Sequence, residues 1–201
     1  WNDVLPAERC SFVLGNPPFV GKSNQDANQK ADMAVVMHDI HGAGVLDFVA
    51  AWYVKAVRYL SANVMARAAF VSTNSITQGE QVGALWGWML GQGAKIHFAH
   101  RTFSWTNEAS GKAAVHCVII GFALHDVAEK TIFEYENIKG EAHAVRAANI
   151  NPYLVDAPDV IFPSRTNPIC DVAAMVYGSK PTDGGHVLLS AEEHDLLISV
   201  E

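Results

Sequence analysis

The chain has 201 residues, 50% of them apolar and 17% charged. That balance supports a packed core and excludes a disordered tail, and no uncharged apolar run is long enough to span a membrane. With 14 Lys and Arg against 21 Asp and Glu, the net charge of −7 excludes a wholly basic nucleic-acid coat but leaves room for a local basic groove.

Three cysteines, Cys10, Cys117 and Cys170, are widely spaced and form neither a metal-binding pattern nor a disulfide framework, which points to a reducing cytoplasm. Cys117 and Cys170 stand beside apolar residues and read as small core side chains. The chain opens on Trp1, carries no signal peptide and reads as a piece of a longer protein.

In chain order, Ser11 to Leu14 is a short apolar run that stops at Gly15-Asn16-Pro17-Pro18, as a buried strand entering a tight loop would. Lys22 to Lys30 is polar, rich in Asn and Gln, and reads as a surface loop, with a second flexible point at Gly42-Ala43-Gly44. Residues 45–60 repeat apolar side chains (Val45, Val49, Trp52, Ala56, Tyr59) at helical spacing. Ala68 to Ser72 is a second strand, and Thr77 to Glu80 has the spacing of a capping box that opens a helix to about Leu90.

Gly91-Gln92-Gly93 closes that helix. Lys95 to Ala99, Ala113 to Leu124 and Thr131 to Tyr135 then read as three more strands, the middle one apolar enough for burial on both faces. Strands alternating with helices predict an α/β sheet with crossover helices, finished by an antiparallel pair. After Asn149 the texture changes to recurrent prolines and few apolar runs, so 1–149 reads as one domain and 150–201 as a linker and the opening of another. A last short helix is expected from Ser190.

The chemistry concentrates at Asn16-Pro17-Pro18-Phe19, directly after a strand, where open α/β sheets bind ligands. An amide or exocyclic nitrogen is a poor nucleophile because its lone pair is delocalised. The Asn16 amide oxygen and the Pro17 carbonyl could accept its two N–H groups, drawing the lone pair out of conjugation and toward an electrophilic methyl. Each proline fixes its φ, which holds that carbonyl with little entropy left to lose, and Phe19 offers a flat face to a planar group. This is preorganised hydrogen bonding without a strong base. A rigid Pro-Pro turn is the plainer alternative.

These four residues match the Asn/Asp/Ser-Pro-Pro-aromatic motif of amino-group methyltransferases. More widely, Leu14 to Lys22, Gly42 to Asp47, Val71 to Gln81 and Phe98 to Phe103 resemble the methyltransferase region of MmeI-type restriction–modification proteins, a resemblance covering most of residues 10–190. The resemblance implies a partial class I (Rossmann-like) methyltransferase sheet with a terminal antiparallel hairpin. It further implies transfer of a methyl group from S-adenosylmethionine to N6 of adenine in a flipped-out base of double-stranded DNA. Asn16 would border the cofactor, whose glycine-rich turn belongs to an upstream half that this chain lacks, so the isolated piece is expected to be inactive. Glutamine methyltransferases of release factors and RNA guanine methyltransferases share the short motif, and a non-catalytic DNA-binding scaffold is a third reading.

In related adenine methyltransferases the loop between the third and fourth strands supplies an aromatic that stacks on the extruded base. Phe103 and Trp105 both qualify, and the sequence does not choose between them. Arg101, Lys22 and Lys112 are candidates for phosphate contacts, although a solvated charge explains each as well. Asn74 is either a pocket residue or turn chemistry. His38, His41, His97 and His100 show no metal-ligand spacing, so no metal site is assigned, and Trp52, Trp86 and Trp88 fit core packing on helices.

Overall fold

A computed structural model describes residues 1–105, 115–162, 165, 167, 169–172, 190 and 191, with the side chains of 105 and 115 excepted. Two compact units divide the chain, Trp1–Ser164 and Arg165–Glu201. The first holds every strand and helix named below.

Strand β1 (Phe12–Gly15) leads into the motif loop. The polar stretch expected as a loop instead forms a short 3-10 turn (Lys22–Asn24) and helix α1 (Ala27–Val36). Asp26 caps that helix, accepting the Gln29 N–H at 2.8 Å while the Gln29 side chain accepts the Asp26 N–H at 3.0 Å. Only Met33 of α1 is buried, so its composition is that of a surface helix, which the apolar count of a sequence mistakes for a loop.

Helix α2 (Ala50–Leu60) begins five residues later than the periodicity suggested. Ala43–Val45 form a 3-10 turn entered through Gly42 at φ +76°, and the Phe48 N–H that follows it bonds the Val20 carbonyl instead of continuing a helix. Strand β2 (Arg67–Thr73) follows, then helix α3 (Gly79–Gly91). The capping box expected at Thr77 does not form: its hydroxyl donates to the Asn74 carbonyl at 2.8 Å, within a 3-10 turn (Asn74–Thr77). The Trp86 indole N–H bonds the Ile76 carbonyl at 2.9 Å and ties α3 to that turn.

Strands β3 (Lys95–Trp105), β4 (Val115–Ala123), β5 (Lys130–Tyr135) and β6 (Ala142–Ala147) complete a six-stranded mixed sheet of order β1-β2-β4-β3-β5-β6. β1 with β2 and β3 with β5 are parallel, and the other neighbours are antiparallel. β6 escapes sequence reading because nearly all of it is exposed and it lacks an apolar alternation.

The core lies where α2 and α3 meet the sheet. Tyr53 sits at its centre, stacked on Phe122 at 5.4 Å and edge-on to Phe70 at 5.2 Å and Trp86 at 6.1 Å. Tyr53, Val54, Val57 and Leu60 of α2 are all buried, and burying a side chain of this size contributes about 1.5–3 kcal/mol. Ile150 and Leu154, from the proline-rich segment, join the same core.

β1 is not the buried strand expected from its composition. It is an edge strand, with Phe12 63% and Leu14 73% exposed and β2 its sole partner among the described residues. Cys117 is buried as expected, but Cys170 is exposed. Of the last expected helix, all but Ser190 and Ala191 lies outside the described residues.

Candidate active site

β1 ends at Gly15 because the next residues cannot continue a ladder: Pro17 and Pro18 have no N–H. A Cβ at Gly15 would stand 3.3 Å from the Phe70 ring, so the glycine lets the chain turn out over the core. Pro17 is buried, Phe19 is half-buried against the core, and Asn16 and Pro18 are exposed. The Asn16 amide has no hydrogen-bond partner among the described residues, which leaves both its donor and its acceptor available.

The downstream end of the loop is anchored. The Phe48 N–H donates to the Val20 carbonyl at 2.9 Å, the Lys22 N–H donates to Asp47 Oδ1 at 3.0 Å, and the buried Gln25 amide donates to the Leu46 carbonyl at 3.1 Å. A rigid proline pair between two fixed ends is a preorganised element, not a mobile turn.

Phe103 stands apart from this loop. In the sheet register, Phe103 on β3 faces Cys117 on β4, which faces Thr73 at the end of β2. Three strand spacings at ~4.8 Å each put it roughly 14 Å across the sheet from β1. Its half-buried ring stacks on Tyr135 at 5.5 Å, and neighbouring His100 stacks on Phe133 at 4.2 Å with Nδ1 2.7 Å from the Tyr135 hydroxyl. Burial pushes the His100 pKa down.

Arg101 is exposed and paired with Glu134 at 2.9 Å, so a phosphate would have to compete for it. Lys22 is exposed on the motif loop, and Asn74 presents its carbonyl to Thr77. The Trp105 side chain and all of Lys112 lie outside the described residues. His38 and His97 bond backbone carbonyls, and no three potential metal ligands converge among the described residues.

Two cavities border the loop. One, of about 560 Å³, runs along the open edge of β1 beneath Asn16 and Pro17, with Trp52, Tyr59 and Phe70 in its wall. The other, of about 520 Å³, opens beside Lys22 and is floored by Met33, Met37 and Leu46.

The sequence profile described as MmeI, DNA-methyltransferase domain, matches residues 1–134. This chain belongs to that family. The MmeI-family chain is 38% identical over 197 residues to DNA methyltransferase A of Bacillus subtilis strain 168, spanning 96% of its own length and 22% of the relative's. It is 60% identical to a solved structure of the type IIL restriction–modification enzyme MmeI in complex with DNA, at a TM-score of 0.91, covering all of this chain and 27% of that one. Its mixed α/β sheet is therefore the MmeI methyltransferase fold.

Sequence reasoning located the motif loop but missed what holds it. Asp47 meets the loop at Lys22 from 25 positions away and is itself held by Ser75 and Gln81, 28 and 34 positions further on, and no local pattern announces such contacts. The available signals were an aspartate interrupting the apolar run from Val45 to Ala51 and the family-like stretches Gly42 to Asp47 and Val71 to Gln81, neither of which says that the residues touch.

Proposed function

We propose that this chain is the catalytic, substrate-side half of a DNA methyltransferase domain that methylates N6 of adenine, in a flipped-out base, within a restriction–modification protein. The observation that carries the reading is the anchored Asn16–Phe19 loop at the carboxyl end of β1, with the Asn16 amide open and the Pro17 carbonyl on a fixed backbone. Asn16 and that carbonyl accept the two amino hydrogens of the base, and Phe19 faces its ring. Trp105, and Phe103 by leaving its stack on Tyr135, are the two candidates for the opposite face, with Lys22, Arg101 and Lys112 toward phosphates.

S-adenosylmethionine supplies the electrophilic methyl group. The open, unpartnered amide of Asn16 fits the border of its site, and the rest of that site belongs to an upstream half of the same domain. The uncovered edge of β1, with Phe12 and Leu14 exposed beside the 560 Å³ cavity, supports such a partner. On this reading residues 1–149 are methyltransferase and 150–201 lead toward target recognition. The protein works on double-stranded DNA in the cytoplasm, and the chain alone does not turn over.

The full-length protein and its Asn16→Ala variant, incubated with S-adenosylmethionine and DNA and digested to nucleosides, test this by mass spectrometry. Methylated adenine from the parent and none from the variant is expected. An active variant would overturn the role of Asn16. Methylation of RNA or protein in place of DNA would overturn the acceptor.

A further inference from the structure

Asp47 lies in the turn before α2 and meets three other segments. Its Oδ1 accepts the Lys22 backbone N–H at 3.0 Å, its Oδ2 accepts the Ser75 hydroxyl at 2.5 Å, and its own N–H donates to the Gln81 side chain at 3.2 Å. Those partners belong to the motif loop, the turn after β2 and the first turns of α3. Because the single Ser75 hydrogen goes to the carboxylate, Thr73, 2.8 Å from Ser75, must donate in its turn. The hydroxyls therefore all point one way, toward an ionised acceptor, and hydrogen bonds of that kind are about twice as strong as neutral ones.

Both carboxylate oxygens accept from the chain itself, which ties Asp47 to the scaffold around the loop. Between Asn16 and Lys22 there is no helix or strand. The loop keeps its course through the two prolines, the Val20 and Lys22 backbone bonds and the packing of Phe19 and Val20. The Lys22 bond is the one made to a charged group. We propose that Asp47 is a positioning residue for methyl transfer: it clamps the downstream end of the Asn16–Phe19 loop to the ends of β2 and α3, and so fixes where the Asn16 amide and Pro17 carbonyl stand. The inference rests on the reading of that loop given above.

A shift of about 1 Å in a reacting group can slow chemistry on the order of 100-fold without loss of binding. The test uses the full-length protein, with kcat and KM for DNA and for S-adenosylmethionine measured for Asp47→Ala and Asp47→Asn beside Asn16→Ala. Asp47→Ala is expected to lower kcat by about 10–100-fold while both KM values stay within about threefold. Asp47→Asn, whose Oδ1 can still take the Lys22 N–H, should recover about threefold of that loss and stay below wild type. If Asp47→Ala does not fold, Asp47→Asn carries the test by itself through a reduced kcat at unchanged KM.

Wild-type kcat in the Asp47 variants beside an inactive Asn16→Ala overturns the positioning role alone. Equal impairment of Asp47→Ala and Asp47→Asn, or a rise in KM matching the fall in kcat, also overturns it. An active Asn16→Ala overturns the reading of the loop instead, and the two failures are thereby distinguished.

Discussion

Phe98 on β3 lies directly against Gly121 on β4, its register partner, and the ring occupies the space a Cβ at that position would need. This accounts for a glycine in the middle of an otherwise apolar central strand, where its lack of a side chain would normally weaken the ladder.

Gly121→Ala must therefore displace the Phe98 ring. Overpacking of this kind costs about 1–3 kcal/mol, and because Phe98 is half-buried and can swing outward, the lower half of that range is expected. Urea unfolding should show a reduced midpoint with an unchanged slope. Trimming the ring in a Gly121→Ala, Phe98→Ala double variant should relieve the steric part of the loss, which strictly additive effects would contradict.

The Tyr53 hydroxyl and Ser72 Oγ lie 2.6 Å apart, both buried, on α2 and β2. Tyr53→Phe strands the serine oxygen without a described partner and should cost about 1–2 kcal/mol. Adding Ser72→Ala removes the stranded group, so the double variant should be closer to wild type than Tyr53→Phe. A double-mutant cycle with no coupling would contradict this.

His97 gives the fold a sensitivity to acid. Burial pushes its pKa below the ordinary value, opposed by the bond to the His125 carbonyl at 2.7 Å; nearby His125 and Arg67 act with burial, and Asp126 against it. Burial likewise lowers His100. A base whose pKa is lower when folded binds fewer protons in the native state. Its contribution to stability is therefore complete above the unfolded value, about 6.5, and is lost as the pH falls through the folded one. Unfolding free energy should decline from pH 7.5 to 5.5, and His97→Gln, which keeps a donor for His125, should flatten part of that slope.

Two of the three thiols, Cys117 and Cys170, should differ in reactivity. Cys117 is fully buried and burial pushes its thiol up to about 11, whereas Cys170 is exposed. Iodoacetamide at pH 8 should label Cys170 within minutes and leave Cys117 untouched until the protein is unfolded, as read by peptide mass spectrometry. Labelling of native Cys117 would show that the sheet around it opens.

The amino-acid order by itself determined the α/β alternation, the main strands, α2 and α3, and the Asn16–Phe19 loop, because apolar periodicity and a proline pair are written in adjacent residues. Tertiary structure decided the rest. It made α1 a capped surface helix where composition suggested a loop, placed β1 at an open edge with Phe12 and Leu14 exposed, and added β6 as a solvent-facing strand. It also brought Asp47 to the loop, and Ser75 and Gln81 to Asp47. Those features depend on which strands neighbour one another and on hydrogen bonds between residues dozens of positions apart, and a local pattern carries no record of either.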